Sequence, residues 1–228
     1  MRIVCISDTH GLEGNFPVPD GDLLIHAGDL CNVGTERDVQ HFAKWLSRLP
    51  HRWKVVIAGN HDWLFQKQAA LARAYLEPGV IYLQDSGCEI EGLKLWGSPW
   101  QPWFMDWAFN LPRKGAALRA KWSQIPLDTD VLITHGPPCG ILDQVLPPSA
   151  APDSTAELAS AHLGCEELAI RLQAIQPKLH VFGHIHGSSG SIEQDGTIYV
   201  NASICDESYR PINRAIVLDG LPRKMRTT

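Results

Sequence analysis

Residues 3–6, 23–25, 55–58, 131–133 and 179–182 are short apolar runs, and a polar motif stands at or just beyond the end of each. Runs this uniformly apolar, interrupted only by His180 in the last, fit strands buried on both faces, as the parallel strands of an α/β sheet are. Between the second and third runs, Val39, Phe42, Ala43, Leu46 and Leu49 recur at helical spacing, with Thr35 as N-cap and Pro50 as the stop. An alanine-rich stretch at 66–76, closed by Pro78 and Gly79, predicts a second helix. Short strands are expected at 80–83, 88–90 and 94–97. Helical spacing returns over 115–124 and again at Cys165, Leu168, Ala169, Leu172 and Ile175, ending before Pro177. Asp195-Gly196 between runs at 191–193 and 197–200 predicts a tight hairpin, and 215–218 supplies a last strand.

Two segments break these patterns. Residues 98–126 crowd Trp100, Trp103, Phe104, Trp107, Phe109 and Trp122 among prolines, with Arg113 and Lys114 beside them. Residues 136–161 carry five prolines and little periodicity, and read as a long loop; the tail from Arg223 reads as loose. An early β-α-β-α half and a later half richer in hairpins predict an α/β protein in which two mixed sheets pack face to face with helices outside. At 228 residues, a single domain spanning 1–228 is the simplest organisation.

The motifs at the run ends are Asp8-Thr9-His10, Gly28-Asp29, Gly59-Asn60-His61-Asp62, Thr134-His135-Gly136 and Gly183-His184-Ile185-His186. Ligands of α/β sheets collect beyond the carboxyl ends of the strands, so these motifs are expected to converge on one site. Asp8, His10, Asp29, Asn60, His135, His184 and His186 offer carboxylate, imidazole and amide oxygen, a set suited to manganese, iron, zinc or magnesium and not to a thiolate-selected metal. Seven side chains are too many for one ion. Shared between two ions with one carboxylate bridging, they leave positions open for water and phosphoryl oxygens. Residues two apart on an extended segment project to the same side, which explains the Asp-x-His and His-x-His spacings. Gly28, Gly59, Gly136 and Gly183 allow tight turns or close approach of backbone to the ions. His26, on the run entering Asp29, is either support for that motif or a core histidine, and His41 is expected to be solvated.

Composition narrows the partners. A formal charge of −5 offers no basic surface for long nucleic acids, so a phosphate-bearing substrate must be attracted locally. Six scattered cysteines without a Cys-x-x-Cys pair predict reduced, mostly buried thiols. No run reaches the length of a membrane span, and no leader-type segment follows Met1, so the expected location is the cytoplasm.

Taken in order from Asp8 to His186, the five motifs resemble the D-x-H, G-D, G-N-H-D, T-H and G-H-x-H blocks of the calcineurin-like metallophosphoesterase superfamily. Gly97-Ser98-Pro99-Trp100, 107–111, His135-Gly136-Pro137-Pro138 with 140–143, and Asn201-Ala202-Ser203 resemble a narrower branch, the brain-type metallophosphoesterase-domain proteins and their bacterial relatives. The resemblance implies a four-layer α/β/β/α sandwich. It also implies one ion on Asp8, His10, Asp29 and His186 and a second on Asp29, Asn60, His135 and His184, with manganese as first choice. It further implies in-line attack on phosphorus by hydroxide generated at the ion pair, with His61 acting at the leaving group and Asp62 either orienting His61 or closing its turn. The expected reaction is hydrolysis of small or cyclic nucleotide-type phosphodiesters, with Trp100 stacking a base and Arg113 and Arg210 holding phosphate or ribose. A phosphomonoesterase, including a protein phosphatase, and a nucleotide-binding module with little turnover remain the alternatives.

Overall fold

A computed structural model describes residues 1–76, 78–145 and 161–221. Fifteen strands and five α-helices occur among them. One sheet holds five strands in the order β15-β1-β2-β3-β4, built from β1 (Arg2–Ile6), β2 (Leu23–His26), β3 (Trp53–Val56), β4 (Val80–Tyr82) and β15 (Ile216–Asp219). Its four early strands run parallel and β15 lies antiparallel against β1. The second sheet has the order β13-β14-β12-β9-β6-β5, from β5 (Ser86–Ile90), β6 (Leu93–Ser98), β9 (Val131–Thr134), β12 (Leu179–Phe182), β13 (Gly190–Gln194) and β14 (Thr197–Asn201). Here β6, β9, β12 and β14 are parallel, and β5 and β13 are antiparallel edges.

Alternation along the strands builds the layers. Ile3, Cys5, Ile25 and Val55 meet Val131, Ile133, Val181 and Val200 in a core between the two sheets. Their neighbours Val4, Ile6, Leu24 and Val56 point the other way, onto α1 (Glu36–Ser47), α2 (Trp63–Lys67) and α3 (Ala69–Tyr75). On the far side, Leu132, Phe182 and Tyr199 pack against Leu118 and Trp122 of α4 (Ala116–Ser123) and Leu168, Leu172 and Ile175 of α5 (Glu166–Ile175). The result is a four-layer α/β/β/α sandwich with two mixed sheets. Each fully buried Leu, Ile, Val or Phe stabilises it by roughly 1.5–3 kcal/mol.

Local signals explain most boundaries. Thr35 and Asp38 form a reciprocal capping box at the start of α1. Asp195 and Gly196 both take positive φ, 52° and 77°, as the two-residue turn between β13 and β14 requires. The single helix expected over 66–76 is two helices, broken at Gln68 with φ −142° and ψ 58°. Gln66, in the turn before the break, accepts the Phe109 N–H through its side chain, a partner 43 residues away that no local propensity reveals. The aromatic segment forms a two-residue ribbon, β7 (Gln101–Pro102) with β8 (Asn110–Leu111). At the base of the proline-rich segment, β10 (Gln144–Val145) pairs with β11 (Ala161–His162), which the loop reading did not anticipate. The interior of that segment, 146–160, and the tail from Arg223 lie outside the described residues. All six cysteines are unpaired.

Candidate metal centre

All five motifs sit beyond the carboxyl ends of parallel strands, and the face-to-face packing of the sheets brings those ends together. Asp8 follows β1, Asp29 follows β2, Asn60 follows β3, His135 follows β9, and His184 and His186 follow β12. The His186 Nε2 lies 3.4 Å from an Asp8 oxygen and 3.2 Å from the His10 Nε2. The His10 Nε2 is 3.7 Å from Asp29, whose other oxygen is 3.4 Å from the His135 Nε2. The Asn60 amide oxygen stands 2.8 Å from the same His135 nitrogen. Three sets of potential donor atoms, Asp8/His10/His186, His10/Asp29/His61 and Asp29/His135/His184, each fall within 4.8 Å of one another. Asp29 belongs to two of them.

Backbone geometry serves this convergence. Asp8, His10, Asp29 and His184 have φ of 54°, 48°, 53° and 69°, a left-handed conformation that costs side-chain-bearing residues about 1–3 kcal/mol and is concentrated at functional sites. A Cβ on Gly183 would lie 2.0 Å from an Asp8 oxygen, and one on Gly59 would lie 2.3 Å from an Asp29 oxygen. Those glycines are the floor of the site. Gly136 is not, because its Cβ would meet nothing nearer than 3.8 Å.

Supporting hydrogen bonds aim the ring nitrogens. The Nδ1–H groups of His61, His135 and His186 donate to the carbonyls of Asn32, Ala27 and Asp206 at 2.5, 3.0 and 2.9 Å. Each ring therefore turns its Nε2 to the cluster, the arrangement that fixes the tautomer of a metal-ligating histidine. Asp8 accepts the His184 N–H at 3.0 Å and the Ser203 hydroxyl at 2.8 Å. The Asn201 amide oxygen accepts the Ser203 N–H and its amide nitrogen donates to the Ile185 carbonyl, so the end of β14 braces the His184–His186 loop. Two buried histidines also act through threonines. His26 meets the Thr9 hydroxyl at 3.0 Å and His180 meets the Thr134 hydroxyl at 2.9 Å, one brace in each sheet beside a motif residue.

The electrostatics suit cations. Burial opposes ionisation of Asp8 and Asp29, yet the facing imidazoles, His186 for Asp8 and His135 for Asp29, hold both carboxyls well below the ordinary range. Burial also opposes a charged His135, and the Asp29 carboxylate overrides it, pushing that ring up to about 9. Burial drives His10 down to about 4 and His184 to about 3, which leaves neutral rings with free lone pairs. Two buried carboxylates facing five imidazole rings, with nitrogens pointed at one another, form a donor set that divalent ions satisfy.

The centre opens on a cavity of about 470 Å³ walled by Gln101, Pro102, Trp103, Phe104, Pro137, Leu163, Glu207 and Tyr209 among others. Trp107 stacks on His61 at 4.1 Å between ring centroids. Several expectations need correction here. Trp100 does not reach the cavity, because its indole N–H is spent on Asp85 at 2.8 Å and Lys121 covers its ring. Arg210 turns back to pair with Asp206. Arg113 does line the cavity, but its guanidinium is engaged by Glu166 and the Gly164 carbonyl, each at 2.9 Å, and by the Leu163 carbonyl. Asp62 does not orient the His61 ring; it closes the turn, accepting the N–H groups of Leu30, Cys31 and Gly59 at 3.1, 3.0 and 2.7 Å. Burial and then the Asp29 charge push Asp62 up to about 7, against those three donors. Ser203, Asn32, Glu207 and Tyr209 carried no chemical signal of their own in the sequence, and of these only Ser203 fell within a motif-like phrase.

Residues 1–188 match the calcineurin-like phosphoesterase family. The chain belongs to that family. The human metallophosphoesterase domain-containing protein 1 is 44% identical over 96% of this chain and 70% of its own length. A UPF0046 protein of Caenorhabditis elegans is 37% identical over 98% of this chain and 76% of its own length. A Thermus thermophilus crystal structure shares the fold, with a TM-score of 0.54 at 16% identity over 88% of each chain. As a metallophosphoesterase, the chain carries the family's dinuclear metal chemistry and metal-dependent phosphoester hydrolysis. No helix among the described residues is long and apolar enough to cross a membrane.

Proposed function

We propose that this metallophosphoesterase hydrolyses small phosphodiesters, cyclic or nucleotide-type, with manganese as the working metal. In this reading Asp8, His10, Asp29 and His186 hold one ion, Asn60, His135 and His184 join Asp29 on the other, and Asp29 is shared. The observation that supports the shared role is that its two oxygens face opposite halves of the centre, one 3.7 Å from the His10 Nε2 and the other 3.4 Å from the His135 Nε2. Bound divalent ions supply Lewis acidity toward phosphoryl oxygens and lower the pKa of water.

The residues supply the rest. His61 has its Nδ1 fixed by the Asn32 carbonyl and its face by Trp107, so its Nε2 is presented to the cavity as the proton donor to a departing alkoxide. The Asp62 clamp holds the loop carrying Asn60 and His61 against the loop carrying Asp29. Pro102, Trp103, Phe104, Pro137 and Leu163 give the cavity an apolar wall that excludes water and accepts a flat or apolar substrate moiety. The preference for diesters rests on charge. Arg113 is the one arginine or lysine in the described wall, and it is already paired, while Glu207 adds a carboxylate. Such a wall suits a monoanion better than a dianionic monoester. Six unpaired thiols fit a reducing compartment, and the cytoplasm is the proposed location.

The test is a metal-reconstituted screen of aryl and alkyl diesters, cyclic nucleotides and monoesters, paired with elemental analysis. Turnover of diesters with two bound ions per chain is expected. Faster turnover of monoesters, phosphoproteins included, would reassign the substrate class, and tight nucleotide binding without hydrolysis under any metal would make the chain a binding module.

A further inference from the structure

Tyr209 stands in the cavity wall, yet neither the motifs nor the charge pattern singles it out. Its φ is 57°, an unfavourable conformation for a bulky aromatic residue that the surrounding loop must enforce. The enforcement is visible. The Asp206 carboxylate accepts the N–H groups of Ser208 and Arg210 at 2.9 and 2.8 Å and the Arg210 Nε at 2.8 Å. The Asp206 carbonyl accepts both the Tyr209 N–H and the Nδ1–H of His186, each at 2.9 Å. One carbonyl thus sets the position of a motif imidazole and of the tyrosine together. The phenol ring lies edge-on to His10 and His186 at centroid distances of 4.7 and 5.3 Å, and tilted to His61 at 6.2 Å. Its hydroxyl makes no hydrogen bond to the described residues, whereas Asp8, Asp29 and the His186 Nδ1–H beside it are engaged.

We propose that Tyr209 is a substrate-contacting residue whose phenol donates a hydrogen bond to a phosphoryl oxygen at the His10/His186 side of the centre. The assignment rests on the phosphoesterase reading above. A phosphoryl group entering the cavity meets no unpaired arginine or lysine in the described wall, so neutral donors must complete its shell of partners, and Tyr209 has the free donor and the enforced pose.

Tyr209→Phe keeps the ring and its edge contacts while deleting the donor. In manganese-loaded protein the variant is expected to retain wild-type manganese stoichiometry by elemental analysis and wild-type melting. Its affinity for inorganic phosphate, read by calorimetry, is expected to fall roughly 10- to 100-fold, as is kcat/KM for an aryl diester, the scale of one lost hydrogen bond to a charged oxygen. Unchanged phosphate affinity together with unchanged kcat/KM overturns the proposal, and so does a loss that appears only alongside lost metal or lowered melting. The two readings fail separately. A wild-type protein that loads manganese but hydrolyses neither ester class removes the phosphoesterase reading, and this assignment with it. An active wild type with an unimpaired Tyr209→Phe removes Tyr209 alone.

Discussion

Gly183→Ala adds one methyl group at the floor of the centre and should disable it. The new Cβ would sit 2.0 Å from the Asp8 Oδ2, 2.2 Å from the Ser7 hydroxyl and 2.7 Å from the Ser7 Cβ. Ordinary contact begins near 3.4 Å, so the carboxylate must retreat by about 1.4 Å. Asp8 cannot move that far and keep its bonds from the His184 N–H and the Ser203 hydroxyl, at 3.0 and 2.8 Å. Hydrogen bonds to a charged group are worth about 1.5–3 kcal/mol each, and 1.4 kcal/mol is a tenfold change in affinity. Loss of one such bond with misplacement of the carboxylate should weaken manganese binding by about 100-fold, and strain should lower the stability of the metal-free protein by about 1–3 kcal/mol. Titration calorimetry with manganese and denaturant unfolding read the two effects. Gly136→Ala is the matched control, because that Cβ meets only the Gln101 Cβ at 3.8 Å and the backbone is not left-handed. It should leave metal affinity intact and stability unchanged or raised by about 0.4–1 kcal/mol. Wild-type manganese affinity in Gly183→Ala would refute the packing argument, and equal damage in both variants would mean that any side chain in these loops is harmful.

Three further outcomes follow from the contacts around the centre. Asp29→Ala should lose both ions by elemental analysis, whereas His61→Ala should keep them and lose turnover by about 10²- to 10⁴-fold; full activity in the second removes His61 from the reaction. Asp62→Asn replaces an acceptor of three backbone N–H groups by a side chain with one acceptor atom, at a cost of about 2–4 kcal/mol and a melting temperature lowered by about 5–10 °C; unchanged melting would mean the turn needs no clamp. His180 is buried beside Thr134 and burial lowers it to about 3, so below its ordinary value of 6.5 the unfolded chain binds a proton that the folded one refuses. Stability should therefore fall as pH drops from about 6.5 toward 3, by about 1.4 kcal/mol per unit from this residue. Compared by urea unfolding of metal-free protein at pH 6.5 and 4.5, His180→Gln should lose about 2.3 kcal/mol less than wild type, and equal losses would show that His180 does not contribute.

Where the sequence misled, the deciding contact was distant in the chain. The sequence points to Trp100 as the stacking residue, but Trp100 is held by Asp85 and Lys121, while Trp107 stacks on His61 and Trp103 walls the cavity. Spacing within 98–126 cannot separate these fates, because each depends on a partner from another element. The arginines behave alike: Arg113 and Arg210 are spent on Glu166 and Asp206, partners that charge counting does not assign. Asp62 and His61 are adjacent, which invited a link between them, yet their side chains answer to Leu30, Cys31, Gly59 and Asn32.

By itself the sequence determined the parts that depend on short-range pattern. Short apolar runs bounded by turn residues fit strands covered on both faces, and Thr35 as well as Asp195 with Gly196 state their cap and turn locally. The donor types in the five motifs fix hard or borderline divalent chemistry before any fold is known. Tertiary structure alone decided which atoms meet. The packing of two sheets set Asp8 against His184 and Ser203, residues 176 and 195 positions away, and Asp29 against His135. It also turned Tyr209 toward rings whose numbers lie far from its own. A cavity wall is made where separate loops happen to face one another, and no spacing along one chain encodes that encounter until the core between the sheets has formed.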